Sequence, residues 1–125
     1  LVEIAHKHNI KVVMSNHDFE ATPSNEEMCE RLDKMELLNA DICKIAVMPN
    51  HKSDVIRLLE VTQIMDRKLN RPLITMSMGQ LGVISRIAGE TFGSALTFAC
   101  NELASAPGQI NVNDMNYILE VLHHD

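Results

Sequence analysis

Short runs rich in Val and Ile take turns along this chain with longer segments whose apolar residues recur at helical spacing, and that alternation constrains the fold most. Residues 1–9 read as the last turns of an amphipathic helix, with His6, Lys7 and His8 suited to a helix C-terminus. Ile10-Lys11-Val12-Val13-Met14-Ser15 then reads as a strand. Ser24-Asn25-Glu26-Glu27 is a capping-box signature that opens a helix over residues 24–39, with Met28, Leu32, Met35 and Leu38 on its apolar face. A strand over 42–48, a helix over 53–69, a strand over 72–77 and a helix over 81–91 follow. A fourth strand over 94–99 and a helix over 112–123 complete the series.

Strands that alternate with helices imply parallel pairing through right-handed crossovers. Two architectures meet that condition, a small doubly wound sheet and part of a (β/α)8 barrel. A whole barrel needs eight units and about 250 residues; this chain has 125 residues and four units. The strand faces choose between them. Ile42, Lys44 and Ala46 share one face of the second strand, and Cys43, Ile45 and Val47 the other. Ser15 with His17, Thr75 with Ser77, and Thr97 with Ala99 likewise put polar or small groups on one face, as a barrel lumen requires near its C-terminal strand ends. The expected fold is therefore α/β, half of a (β/α)8 TIM barrel, with residues 1–125 forming one domain of four βα units. A helix that lacks its beginning at Leu1 further predicts a chain cut from something longer.

Charge and composition exclude several partners. The chain carries 11 Lys and Arg against 17 Asp and Glu, a formal charge of -6, with no basic run to follow a phosphate backbone, so no nucleic acid is expected. No apolar stretch has membrane-spanning length and no signal-peptide pattern opens the chain, so no membrane is expected either. Cys29, Cys43 and Cys100 are odd in number and far apart. They read as free thiols of a reducing, cytoplasmic compartment and lack the paired spacing of a zinc site.

Lys44 is the residue with the most chemistry in it. It lies in Ile42-Cys43-Lys44-Ile45-Ala46-Val47-Met48, a strand otherwise made for the core. Burial disfavours the ammonium and lowers a lysine pKa, and the neutral amine is the form that attacks a carbonyl. A lysine whose stem is buried and whose head reaches water has the same sequence signature. His17 follows the first strand and titrates in the range useful to a general acid or base. His6, His8, His51, His123 and His124 fall in helix ends or loops and read as solvated surface. Arg86, after Gly79 and Gly82, offers a fork that grips a carboxylate in two places, or a surface ion pair. Ser105 and Gln109 flank Ala106-Pro107-Gly108 as neutral hydrogen-bond partners, or as parts of a plain connecting loop. Their coincidence decides. One candidate comes from the same end of each of four successive βα units, which points to carbonyl capture by lysine, proton transfer by histidine and carboxylate anchoring by arginine. Such a site acts on a keto acid without a metal or other cofactor.

These motifs together resemble the C-terminal half of a type I 3-dehydroquinate dehydratase, the Schiff-base class of the shikimate pathway. The resemblance rests on Ser15-Asn16-His17-Asp18-Phe19, Lys44-Ile45-Ala46-Val47-Met48-Pro49, Ser77-Met78-Gly79 through Ser85-Arg86, Gly93-Ser94-Ala95-Leu96-Thr97-Phe98, and Ser105-Ala106-Pro107-Gly108-Gln109. It implies that Lys44 forms the Schiff base, that His17 is the general acid/base, and that Arg86, Ser105 and Gln109 bind substrate. The implied reaction is loss of water from 3-dehydroquinate to give 3-dehydroshikimate. The family is a whole barrel whose N-terminal half adds charged substrate ligands, so the resemblance also implies a homodimer or association with an N-terminal half. The alternative is a non-catalytic half-barrel that self-associates or serves as a binding or regulatory module, including a keto-acid sensor that binds without turnover.

Overall fold

In a computed structural model, which describes residues 1–123, the alternation becomes α1 (Val2–Lys7), β1 (Val13–Asp18), α2 (Asn25–Leu37), β2 (Ile42–Val47), α3 (Lys52–Lys68), β3 (Leu73–Ser77), α4 (Gly79–Phe92) and α5 (Val112–His123). The strands form one parallel sheet in the order β1-β2-β3, with Ser15 opposite Lys44 and Lys44 opposite Ile74. Strand order that follows the chain without reversal is the winding of a barrel; a doubly wound sheet reverses at a switch point.

Alternation along the strands separates two apolar layers. Cys43, Ile45, Val47 and Leu73 pack against Met28, Leu32 and Met35 of α2 and Leu58, Val61 and Met65 of α3. Ala46, Ile74, Met76 and Met78 form a smaller cluster on the opposite, lumenal face, flanked by half-buried Ile42 and Met48. Each fully buried Leu or Met contributes roughly 1.5–3 kcal/mol, so the helix-side layer holds the sheet together. Local chemistry fixes the helix starts. Ser24 Oγ accepts the Glu27 N–H at 3.1 Å, and the Asp54 carboxylate accepts the N–H groups of Asn50 and His51 at 2.8 and 3.1 Å. Gly82 lets α4 pack directly onto the Ser77 backbone, where any Cβ would collide with the Ser77 carbonyl.

Three expectations change. β1 starts at Val13 and runs to Asp18, rather than spanning 10–15. Asp41 explains the late start: its carboxylate accepts the Val12 N–H at 2.7 Å and pairs with His6 at 2.8 Å. His17 consequently lies within the strand, opposite Ala46. The segment 94–99 does not form a fourth strand; it meets β3 in a single bridge, Leu73 to Ser94. Ala95 N–H reaches the Leu73 carbonyl, but the next rung is lost because Ser94 Oγ takes the Thr75 N–H at 3.1 Å. Thr75 and Ser77 face the helices rather than the lumen. The Thr75 hydroxyl meets the Thr62 hydroxyl of α3 at 2.6 Å, and the Ser77 N–H donates to Ser85 Oγ of α4 at 2.8 Å. No helix among the described residues is long and apolar enough to cross a membrane.

Candidate active site

β2 is the central strand, so Lys44 has a paired neighbour on each side, Ser15 and Ile74. Its stem lies on the lumenal face between Ile42 and Ala46, and its Nζ sits 4.2 Å from the centroid of the Phe98 ring. Desolvation, and then the nearby Arg86 guanidinium, hold its pKa below the ordinary lysine value. Both causes enlarge the neutral-amine fraction.

Arg86 comes from the inner face of α4 and is 2 % exposed. Its Nη2 donates to the Pro107 carbonyl at 2.9 Å, and its Nη1 reaches the Phe98 carbonyl at 3.5 Å and Met76 Sδ at 3.4 Å. Its Nε has no partner, and burial lowers its pKa. A guanidinium buried against two carbonyls and a thioether remains an uncompensated cation, and an anion would relieve it.

His17 stands on the same face of the sheet, two residue pairs beyond Lys44 along the strands. It is exposed and stacks on Phe19, with ring centroids 5.8 Å apart and 9° between planes. Desolvation, then the charge of Lys44, lowers its pKa, which favours the neutral imidazole that can accept a proton. Ser105 and Gln109 bind each other: Gln109 Oε1 accepts the Ser105 N–H at 2.7 Å, and Gln109 Nε2 donates to Ser105 Oγ at 3.0 Å. Their loop docks on the start of α4 through the Gly79 N–H, which donates to the Pro107 carbonyl at 3.1 Å. Pro107 therefore joins Arg86 to the Ser105–Gln109 loop, while neither Ser105 nor Gln109 bonds Lys44, His17 or Arg86 directly among the described residues.

Phe98 is the residue that sequence reasoning missed. Face alternation assigned Thr97 and Ala99 to the lumen, whereas the ring that reaches Lys44 belongs to Phe98. The available signal was an aromatic residue in the unit after next to a lysine in an apolar strand, a pairing that cation–π attraction favours. The Pro107 carbonyl left no signal, since a backbone acceptor has no letter in the sequence. Of the histidines read as surface, His8 and His51 are exposed. His6 instead pairs with Asp41, and His123 bonds the Ile87 carbonyl at 2.8 Å and Glu90 at 3.1 Å; His124 lies outside the described residues. The three cysteines are free, Cys43 buried and Cys29 and Cys100 half-buried.

Comparison with known proteins follows the same pattern. The family profile described as type I 3-dehydroquinase matches residues 1–125. The chain is 58% identical over 123 residues to a 3-dehydroquinate dehydratase of Listeria monocytogenes, covering 98% of this chain and 49% of that protein. Against the enzyme of the same name from Salmonella paratyphi B it is 57% identical, again covering 98% and 49%. The structure of 3-dehydroquinate dehydratase from Geobacillus kaustophilus superposes with a TM-score of 0.94 at 43% identity, over 96% of this chain and 47% of that one. The type I enzyme from Clostridium difficile, solved with covalently modified comenic acid, gives 0.93 at 53% identity, over 98% and 48%. The chain thus spans about half the length of the curated relatives it matches, and its parallel α/β architecture is that of about half of those structures.

Proposed function

The chain belongs to the type I 3-dehydroquinase family, and from that premise we propose that it carries the covalent and proton-transfer groups of a 3-dehydroquinate dehydratase. The single observation that carries this reading is Lys44 Nζ on the lumenal face, with its pKa lowered by burial and by Arg86. Neutral Lys44 attacks the substrate ketone, and loss of one water gives the imine. The imine is the electron sink that makes the adjacent C–H acidic. His17 takes that proton and returns it to the departing hydroxyl, which leaves as water; hydrolysis of the imine then frees 3-dehydroshikimate and Lys44. Arg86 anchors the substrate carboxylate, and Ser105 and Gln109 exchange their mutual hydrogen bonds for bonds to substrate. The covalent modification named for the Clostridium difficile relative supports covalent chemistry in this family.

Residues 1–125 act in this reading as a C-terminal half-barrel domain. Its partner is a second copy or an N-terminal half that meets the exposed apolar residues at the sheet's open sides, Val13 (50% exposed) and Leu96 (53%). Three free thiols fit a reducing cytoplasm. Borohydride reduction in the presence of 3-dehydroquinate, with peptide mass mapping, tests the chemistry. The expected result is one reduced adduct on Lys44, absent from Lys44→Ala and from Lys44→Arg, because guanidinium stays protonated. An adduct on another lysine, or none, refutes the assignment. Native mass spectrometry of the same material reads the assembly.

A further inference from the structure

Phe98 touches both cations of the lumen with different parts of itself. Its ring lies 4.2 Å from Lys44 Nζ, while its carbonyl accepts from Arg86 Nη1 at 3.5 Å. The two cations repel each other, and no ion pair involves either among the described residues. Nζ nevertheless lies close enough to the guanidinium for its charge to lower the amine's pKa, and no counter-charge among the described residues holds it there. The segment that carries Phe98 is free of the ladder. It is tied to β3 at Leu73 and Ser94, its Leu96 carbonyl accepts from Ser94 Oγ at 3.2 Å, and it is fixed next at Cys100 by backbone bonds with Ile110 and Val112 at 2.8 Å each. Between those anchors, what Phe98 touches determines where it sits.

We propose that Phe98 is a positioning residue that holds Lys44 Nζ at the lumen end beside Arg86, its ring face taking the ammonium and its carbonyl taking the guanidinium. The negative face of an aromatic ring attracts a cation that water no longer solvates fully. The carbonyl, oriented by the same residue, couples the placement of one cation to the other. This rests on the reading of Lys44 as the imine-forming amine and adds what places that amine. Without the ring, a flexible four-carbon stem swings Nζ toward water and away from Arg86. The titratable groups that face Nζ are Arg86 from α4 and His17 from β1. The Arg86 charge favours the neutral amine while Nζ stays near it, and His17, whose own pKa is lowered in part by Lys44, adds no lasting charge beside it.

Reductive methylation by formaldehyde and cyanoborohydride reads this directly, with the rate at Lys44 followed by peptide mass across pH and Lys52 as an internal reference. Formaldehyde needs no substrate recognition, so the outcome is independent of whether 3-dehydroquinate is captured. In Phe98→Ala the pH midpoint of Lys44 modification is expected to rise, making the reaction at pH 7 about 3- to 10-fold slower relative to Lys52. Phe98→Leu keeps apolar volume if the alanine variant folds poorly, and the same rise is expected at smaller size. Phe98→Tyr restores a ring and the original profile. An unchanged midpoint in Phe98→Ala and Phe98→Leu overturns the proposal. So does a midpoint that falls in Phe98→Leu, which would mean the ring only favours the ammonium, or a Phe98→Tyr profile displaced as far as that of alanine.

Discussion

Gly108→Ala should undock the Ser105–Gln109 loop from α4, and the structure sets the size of the effect. Gly108 has φ +80°, and a Cβ there would lie 2.5 Å from the Gly79 carbonyl oxygen and 3.0 Å from its carbon and nitrogen. The left-handed conformation alone costs alanine about 1–2 kcal/mol. The clash adds to it, and the atoms in the way are backbone at the first residue of α4, which cannot turn aside as a side chain would. Relief requires the loop to retreat by most of an ångström. That motion breaks both anchors at Pro107: the 3.1 Å bond from the Gly79 N–H and the 2.9 Å bond from Arg86 Nη2. A neutral bond is worth about 0.5–1.5 kcal/mol and one to a charged group about 1.5–3. The chain takes the less costly of strain and undocking, so the loss is capped near 2–4 kcal/mol, a large share of a domain's usual stability.

Urea denaturation measures that loss, and hydrogen exchange at the Gly79 amide locates it. The Gly79 amide should lose protection by more than the β2 amides, because the helix-side core is untouched. Gly108→Asn sharpens the test. Asparagine tolerates positive φ better than alanine but carries the same Cβ, so close approach predicts nearly equal damage from both. If asparagine restored stability, or alanine left the midpoint and the Gly79 amide unchanged, close packing of this loop on α4 would not be what positions it.

Two further outcomes follow from buried or paired polar groups. Thr62→Val strands the Thr75 hydroxyl and should cost about 1–3 kcal/mol, whereas Thr75→Val costs less because Thr62 Oγ1 still donates to the Leu58 carbonyl at 2.7 Å; the double variant should lose less than the sum, and additivity in a urea double-mutant cycle would remove the coupling. Asp41 has its pKa lowered chiefly by the Val12 N–H and then by His6, so its stabilisation is present above the unfolded carboxylate pKa and disappears as pH falls through the lower folded value. Stability scanned from about pH 6 to pH 2 should decline less steeply in Asp41→Asn, and an identical acid limb would mean that Asp41 does not tie α1 to the sheet.

The legible parts of the fold were those in which side-chain period and burial agree. Ile42, Lys44 and Ala46 on one face and Cys43, Ile45 and Val47 on the other were separated by alternation alone, and the structure assigns the two sets to opposite faces of the sheet. Period does not give phase, however. Thr75 and Ser77 alternate as expected but face the helices: the Thr75 hydroxyl is satisfied there by Thr62, while at Ser77 it is the backbone N–H that meets Ser85 and the small hydroxyl is buried without a partner. The fourth strand failed for a related reason, as one serine side chain accepted a backbone rung. Among the candidate residues, Lys44, His17 and Arg86 could be named because their side chains carry the chemistry. Phe98 and the Pro107 carbonyl could not, because they act by where the fold puts them.

The two sides of the sheet also differ in how far this chain completes them. Lys44 is on the central strand, with β1 and β3 on either side, Phe98 against its Nζ and Arg86 close enough to shift its pKa. All of these neighbours come from residues 1–123. His17 is on β1, the edge strand, where it is exposed and where Val13 in the same strand is 50% exposed. A general base needs its orientation fixed from both sides, since proton transfer demands hydrogen-bond geometry within about 2.6–3.2 Å. Amine attack on a carbonyl depends first on a neutral, accessible Nζ, and burial and the nearby Arg86 charge already favour the neutral form. In the proposed mechanism, imine capture at Lys44 is therefore the step that depends least on anything beyond β1. Proton transfer at His17 would be the step that gains most when the open side of β1 is covered, which is why the trapping experiment reads Lys44 directly and does not wait on turnover.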